Sequence, residues 1–208
     1  GKKKSVTMNV TVIGGSGFLG SHVADQLSEA GYQVLVFDWK KSPWLREDQD
    51  IQIGDIRDDK ALGDAIKGAD AVYHFAALAD LNEALDKPVE TTQINILGTV
   101  LVLEACRKYD VKRLVYASTV YVNSAEGGFY RCSKQAAENY IEEYLRVFGL
   151  DYTILRYGSL YGPRSDHTNG LFRIVSSAIE NGKIRYEGSP EAIREYIHVE
   201  DAARASVT

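Results

Sequence analysis

The stretch "NVTVIGGSGFLGSHVADQL" (residues 9–27) joins an apolar run rich in β-branched residues to a segment with the spacing of a helix. The junction carries four glycines, at positions 14, 15, 17 and 20. Glycine loses more conformational freedom on folding than any other residue, so a cluster where a strand becomes a helix needs a physical reason. A purely structural turn is one explanation, and a ligand that approaches the backbone closely is the other.

The glycines read Gly-x-x-Gly-x-x-Gly when the count starts at Gly14, and Gly-x-Gly-x-x-Gly when it starts one residue later. In both frames an early glycine makes the tight turn, Gly17 lets the backbone approach a pyrophosphate, and Gly20 allows close packing of helix on strand. The free N–H groups of the first helical turn, at Phe18 and Leu19, and the helix dipole supply an anion site. We therefore expect Gly14, Gly17, Phe18 and Leu19 to bind a dinucleotide.

Asp38 ends the next apolar run, "QVLVFD" (residues 33–38). An acidic residue about 20 positions after a glycine turn accepts hydrogen bonds from the adenosine ribose and repels a 2′-phosphate. Asp38 therefore favours NAD over NADP as the cofactor. Lys40 and Lys41 follow closely and weaken this preference.

The composition excludes several classes of protein. Hydrophobic residues make up 45% of the 208 residues, and a formal net charge of −5 provides no basic surface for nucleic acid. No apolar stretch approaches the roughly 20 residues of a membrane span. Cys106 and Cys132, like the four histidines, lack the spacing of metal ligands. We expect no metal site, reduced thiols and a cytoplasmic location.

Short apolar runs alternate with amphipathic segments along the chain. The predicted strands cover residues 9–13, 33–38, 51–55, 70–77, 113–118 and 152–157, and the predicted helices cover residues 16–30, 58–67, 89–109, 130–148 and 171–180. This alternation predicts a doubly wound parallel sheet, the Rossmann-like α/β class. We expect an NAD-binding domain at residues 1–165. Residues 166–208 would begin a smaller substrate-binding lobe, which looks truncated because the last helical pattern has no terminator.

The segment "YRCSK" (residues 130–134) places Tyr130 and Lys134 on one face of a predicted helix. A phenol with a pKa of about 10 is a poor base near neutrality, but a neighbouring ammonium favours the phenolate and lowers that pKa. The pair therefore suits proton transfer in alcohol oxidation. Ser118 or Thr119, at the end of the preceding strand, could hydrogen-bond a substrate oxygen. Because the same spacing occurs by chance on amphipathic helices, the pair supports a catalytic role only together with other motifs of the sequence.

Such motifs are present, and they follow one another along nearly the whole chain from about residue 8. They are the glycine turn, Asp38, "GDIRD" (54–58), "HFAA" (74–77), "NILGT" (95–99), the Ser/Thr strand end, "YRCSK", "LRYGSLYGPR" (155–164) and "REYIHVED" (194–201). Together they resemble the NAD-dependent epimerase/dehydratase family, the extended short-chain dehydrogenases/reductases that act on nucleotide sugars. The resemblance implies a retained NAD. It also implies a tyrosine that removes a sugar hydroxyl proton as hydride passes to NAD, and return of the hydride to the other face of the keto sugar.

The resemblance assigns roles to individual positions. It implies that Tyr130 is the base, that Lys134 binds the nicotinamide ribose and tunes the tyrosine, and that Thr119, with Ser118 as the fallback, is the strand-end hydroxyl. The other cofactor contacts that it implies are Asp55 and Ile56 beside adenine, Ala76 and Ala77 in the dinucleotide groove, Asn95 as a brace for the neighbouring strand, and Tyr157 near the nicotinamide.

Substrate and subunit contacts follow from the same resemblance. Arg164 and Arg194 are candidates for the substrate diphosphate, because a guanidinium fork suits phosphate oxygens; surface ion pairing is the alternative for both. The paired-helix dimers of the family imply a homodimer, in which the apolar helix at residues 94–103 meets the helix that carries Tyr140 and Tyr144.

Three features depart from the family pattern. The loop "VNSAEGGF" (122–129) is shorter than usual, and Ser159, a candidate substrate contact, stands where an asparagine is expected. The 4,6-dehydratases carry Thr-Asp-Glu after this strand, whereas Val120 and Tyr121 follow Thr119 here. Without an acid to protonate a leaving hydroxyl, the predicted reaction is epimerisation of a nucleotide sugar, with a UDP-sugar favoured. The alternatives are a nucleotide-sugar reductase or decarboxylase, and a regulator that binds dinucleotide without chemistry.

Overall fold

A computed structural model describes residues 7–184, 186, 189 and 191–208. Its main sheet consists of the parallel strands β1 (Asn9–Ile13), β2 (Gln33–Asp38), β3 (Gln49–Ile53), β4 (Ala71–His74), β5 (Arg113–Thr119) and β6 (Asp151–Tyr157). Their order is β3-β2-β1-β4-β5-β6. The strand order reverses between β1 and β4, and open α/β sheets bind ligands at the carboxyl ends beside such a reversal. The predicted doubly wound class is confirmed.

Helices cover both faces of this sheet. They are α1 (Phe18–Glu29), α2 (Asp59–Ile66), α3 (Leu81–Asp86), α4 (Pro88–Thr91), α5 (Gly98–Lys108), α6 (Gly128–Phe148), α7 (Gly170–Asn181) and α8 (Val199–Val207). A π-helical turn, Thr92–Leu97, joins α4 to α5, and a 3-10 turn, Val120–Asn123, follows β5. A separate pair of short parallel strands consists of β7 (Ser159–Tyr161) and β8 (Tyr196–His198). Within the described residues, no helix is both long and apolar enough to cross a membrane.

The core has two layers, one on each face of the sheet. On one face Leu62 of α2, Val102 of α5 and Ile141 of α6 are buried against strand residues such as Leu114. On the other face α1 packs with α8, whose Ala203 is fully buried among residues of β1 and β2. Residues 199–207 thus share a core with the first strands. The division of the chain at residue 165 stays a prediction.

Several boundaries differ from those expected. The predicted strands at 51–55 and 70–77 are displaced or shortened, to Gln49–Ile53 and Ala71–His74. One reason is local capping: the Asp58 side chain accepts from the backbone of Lys60 and Ala61 and starts α2, so residues 54–58 form a turn. The single helix expected at 89–109 contains the π-helical turn, and α3 and the β7–β8 pair were not predicted.

Candidate active site

The glycine turn lies between the carboxyl end of β1 and the start of α1. Gly14 has φ +83°, and a Cβ there would lie 2.5 Å from the backbone nitrogen of Ala76. A Cβ on Gly20 would lie 2.2 Å from the carbonyl oxygen of Gly14. Real Cβ atoms do not approach backbone so closely, so the packing of the chain itself requires glycine at both positions.

Gly17 is different, because nothing packed in the chain requires it. It has an extended backbone, and a Cβ there would meet only Gly14, at an ordinary 3.4 Å. Gly17 is also the N-cap of α1, whose start has no side-chain cap and no acidic residue in the first turn. The missing side chain leaves open space in front of the first-turn amides of Phe18 and Leu19. A pyrophosphate fits such an uncapped helix terminus.

Asp38 ends β2 next to the glycine turn and is buried. Its Oδ2 accepts from the backbone nitrogen of Ser16 at 3.0 Å, and its Oδ1 accepts from that of Lys40 at 3.3 Å. A buried carboxylate held by backbone amides keeps acceptor capacity for the hydroxyls of a ribose.

Asp55 and Ile56 lie beside the end of β2, because the backbone of Gly54 donates to the Asp38 carbonyl at 2.9 Å. The Asp55 carboxylate forms a forked ion pair with Arg57, at 2.9 Å from Nε and 2.6 Å from Nη2. This pairing holds the pKa of Asp55 below its usual range. Ile56 is buried in the core.

The segment after β4 packs against the glycine turn. Ala76 donates its backbone N–H to the Ile13 carbonyl at 3.1 Å, and Ala77 follows it, half-buried. Asn95, on the π-helical turn, accepts from the Leu78 backbone at 2.8 Å, donates to its carbonyl at 3.1 Å, and donates to Ser133 Oγ at 2.9 Å. Asn95 therefore ties the segment after β4 to α6. It lies on a π-helical turn, and such turns are frequent at functional sites.

Tyr130 and Lys134 lie one turn apart on α6, over the carboxyl end of β5. Lys134 is only 2% exposed, and its Nζ donates to the Ala117 carbonyl at 2.7 Å. The same Nζ lies 4.7 Å from the ring centre of Tyr116 and 5.7 Å from that of Tyr130. The buried ammonium group thus lies between two phenol rings.

Burial controls the titration of both groups. It lowers the pKa of Lys134 to about 7, and the charge of Glu138 opposes this shift. Burial, with a contribution from Tyr121, raises the pKa of Tyr130 to about 12. The sequence predicted the opposite direction for the tyrosine. That prediction is wrong for the protein alone, because desolvation of the phenolate is the largest cause of the shift.

The two strand-end hydroxyls point to different partners. Ser118 Oγ donates to Glu138 Oε2 at 3.2 Å on the α6 side of the sheet. Thr119 Oγ1 accepts from the backbone of Tyr121 at 3.2 Å and caps the 3-10 turn. Tyr157 pairs with Thr119 in the β5–β6 register, but its Oη bonds Ser206 Oγ on α8 at 2.6 Å.

The expected diphosphate ligands have other environments. Arg164 Nη2 pairs with Asp25 of α1 at 2.7 Å, and its guanidinium lies 5.2 Å from the ring centre of Trp44. It is thus engaged by α1, in line with the ion-pairing alternative, and its diphosphate role stays a prediction. Arg194 is exposed just before β8, and Ser159 lies on β7 opposite Tyr196.

Sequence reasoning missed Glu138, which is buried beside this site. It accepts from Ser118 and forms an ion pair with Arg156 of β6. Its position one helical turn after Lys134 was the available signal, since residues four apart share a helix face.

Comparison with known proteins gives this geometry a context. Residues 10–208 match the NAD dependent epimerase/dehydratase family. The chain belongs to that family. Among individual proteins, a putative UDP-glucose 4-epimerase of Methanocaldococcus jannaschii is 32% identical over 220 residues, which cover 95% of this chain and 72% of that protein.

Solved structures of family members agree with the fold. The UDP-glucose 4-epimerase of Thermotoga maritima with UDP-glucose has a TM-score of 0.87 at 31% identity and covers 96% of this chain and 72% of its own. The UDP-glucose 4-epimerase of Thermus thermophilus with NAD has a TM-score of 0.85 at 30% identity, with coverage of 96% and 73%. The family also includes enzymes of other reactions, such as a dTDP-D-glucose 4,6-dehydratase of Dictyostelium discoideum, 25% identical over 94% of this chain and 54% of that protein. This chain is thus an NAD-dependent enzyme of the epimerase/dehydratase family.

Proposed function

We propose that this enzyme epimerises a nucleotide sugar, with a UDP-sugar as the favoured substrate. The observation that carries the proposal is the position of Tyr130 and Lys134 on one face of α6, at the end of β5. Asn95 ties this helix to the segment after β4, which packs against the glycine turn. The UDP-glucose 4-epimerases among the most similar proteins support the same reaction.

The residues present fit NAD. The open space at Gly17 and the amides of Phe18 and Leu19 would hold the diphosphate, Asp38 the adenosine ribose, and Lys134 the nicotinamide ribose. A bound NAD would supply the acceptor and donor of hydride for the reaction.

The proton chemistry belongs to the chain. Tyr130 in its phenolate form accepts the proton of the sugar hydroxyl and later gives it back. Since burial raises its pKa to about 12, a positive charge beside the ring must stabilise the phenolate, and protonated Lys134, 5.7 Å from the ring centre, can supply that charge. Ser118 is occupied by Glu138, so Thr119 is the hydroxyl that we assign to the substrate oxygen.

Epimerisation is favoured over dehydration by the residues that follow β5. A dehydratase must protonate a departing hydroxyl, which requires an acid near the substrate. Val120 and Tyr121 follow Thr119 in the 3-10 turn and supply no carboxyl group. These positions would therefore provide no acid for the loss of water from an oxidised sugar.

We further propose a cytoplasmic homodimer. Cys106 and Cys132 are both free thiols, as is usual in a reducing compartment. Leu97 and Tyr140 remain 47% exposed near α5 and on α6, and apolar side chains of this kind suit a subunit interface. Tyr144 does not belong to that surface, because it is buried and its Oη donates to Glu104 of its own chain at 2.6 Å. Sedimentation at micromolar concentration that shows only monomer would exclude the dimer.

Replacement of Tyr130 tests the reaction. Tyr130→Phe should abolish interconversion of UDP-glucose and UDP-galactose while NAD stays bound through gel filtration, because only the proton acceptor is lost. Tyr32→Phe, a tyrosine outside the site, is the control and should leave turnover unchanged. Turnover by Tyr130→Phe at the rate of the control would refute the assignment. A wild-type protein that binds NAD but converts no UDP-, GDP- or dTDP-sugar would favour the regulator instead.

A further inference from the structure

Glu138 is a buried carboxylate that the proton chemistry described above does not use. It is 4% exposed on α6, whereas carboxylates are almost never buried without a partner. Arg156 of β6 donates to Oε1 from Nε at 3.0 Å and from Nη2 at 2.9 Å. Ser118 of β5 donates to Oε2 at 3.2 Å. Glu138 therefore joins one helix to two strands through an ion pair and a hydrogen bond.

The bonds of Glu138 lie next to the bond that holds the lysine. Ser118 follows Ala117, whose carbonyl accepts from Lys134 Nζ at 2.7 Å. Ser118 and Arg156 face each other in the β5–β6 register, so both donors to Glu138 come from one point of the sheet. The Ala117 carbonyl, which accepts from the Lys134 ammonium, thus belongs to the residue directly before Ser118, which donates to the Glu138 carboxylate.

We propose that Glu138 is a positioning residue, which holds the end of β5 against α6 and supplies the negative charge that keeps the Lys134 ammonium in place beside Tyr130. This inference rests on the role proposed above for Tyr130 and Lys134. It assigns to Glu138 an effect on the lysine, without contact to substrate or cofactor.

The charges around Lys134 favour this role. The titratable groups that face it are Tyr130 and Glu138 on α6, Tyr116 on β5 and His74 on β4. Burial lowers the pKa of His74 to about 3 and raises that of Tyr116, so both are neutral near pH 7. Tyr130 is neutral in the protein alone as well. Among these groups, Glu138 is the carboxylate, and its charge raises the pKa of Lys134. Arg156 offsets it only in part, because its side chain is 45% exposed to water.

The direct test measures the lysine itself. The protein is labelled with ¹³C at lysine Cε, the Lys134 signal is assigned by its loss in Lys134→Met, and its titration is followed by NMR. Glu138→Gln keeps the shape and removes the charge, and its NH2 donor replaces one of the two acceptor oxygens. It should lower the pKa of Lys134 by about one to two units, as expected for a charge one helical turn away at an effective dielectric constant of about 20.

Glu142→Gln is the matched control, since Glu142 lies one turn further along α6 and is exposed. It should leave the lysine titration unchanged. Glu138→Asp keeps the charge, so the pKa of Lys134 in this variant should lie within about half a unit of the wild-type value. An unchanged titration in Glu138→Gln, or a shift in Glu138→Asp as large as in Glu138→Gln, would overturn the proposal.

Activity provides a second readout. Activity that needs protonated Lys134 is lost as the pH rises through the pKa of that lysine, so the alkaline limb of the kcat profile should move to lower pH in Glu138→Gln and stay in place in Glu142→Gln. An alkaline limb that does not move in Glu138→Gln would also count against the proposal. If the wild type turns over no nucleotide sugar, the proposed reaction fails, while the NMR titration still decides the role of Glu138.

Discussion

Lys134→Met should change the pH dependence of stability in a direction opposite to that of an ordinary surface lysine. In the unfolded chain the amine titrates near 10.5, whereas burial lowers its pKa to about 7 in the folded protein. Between these values the unfolded state binds more protons than the folded state, so the free energy of unfolding rises with pH. Methionine cannot titrate, and this rise is lost in the variant.

The magnitude follows from the two pKa values. Integration of the difference in bound protons from pH 6 to pH 9 gives about 3 kcal/mol of stability gained by the wild type and absent from the variant. The substitution also leaves the Ala117 carbonyl without its donor, which costs about 1 kcal/mol at every pH. That constant cost leaves the slope unaffected. Lys134 is thus a group whose charge destabilises the fold at neutral pH, which is common for residues at functional sites.

Urea unfolding at several pH values measures this slope. Lys60→Met is the matched control, because Lys60 is 84% exposed and its ion pair with Asp64 raises its pKa, so its titration lies above the range used. The free energy of unfolding of the wild type and of the control should rise in parallel from pH 6 to 9. That of Lys134→Met should rise less than either. Parallel curves for all three proteins would show that Lys134 keeps an ordinary pKa and would refute the reasoning.

Three further outcomes follow from the structure. Gly17→Ala should leave the free energy of unfolding within about 0.5 kcal/mol of the wild type but weaken NAD binding in calorimetry, whereas Gly20→Ala should lower thermal stability, because its Cβ would overlap backbone. Arg164→Met should destabilise the chain by about 1–3 kcal/mol in urea, since the half-buried Asp25 carboxylate on α1 loses its ion-pair partner and keeps only the hydrogen bond from Gln49. A thiol reagent near neutral pH should modify Cys132 alone in the native protein and both cysteines in denaturant, because Cys106 is buried and its pKa is raised to about 12.

Much of the fold could be predicted because its signals are local. Short apolar runs gave the six sheet strands, and the alternation with helices gave their parallel arrangement. These local signals failed where capping or long-range packing determined the secondary structure. The π-helical turn Thr92–Leu97 buries Asn95, whose partners Leu78 and Ser133 lie on other segments, so no local periodicity could predict it.

The site shows the same division. Helical spacing was enough to place Tyr130 and Lys134 on one face, but their pKa values depend on burial, which the sequence does not state. The roles expected for Arg164 and Tyr157 came from position in a motif. The structure gives both side chains partners on helices distant in sequence, Asp25 for the arginine and Ser206 for the tyrosine.

The short connection between β5 and α6 explains how Tyr130 is held without the longer loop that the family resemblance implied. Thr119 caps the 3-10 turn, and Arg131 Nη1 donates to the Ser124 carbonyl at 2.9 Å, which ties the connection to the first turn of α6. Gly127 has φ +96°, and a Cβ there would lie 3.0 Å from Arg131 Cβ and 3.1 Å from Tyr121 Cβ. A residue with a side chain at this position would push the connection away from α6. Contacts inside the chain therefore fix the start of α6 and with it the position of Tyr130.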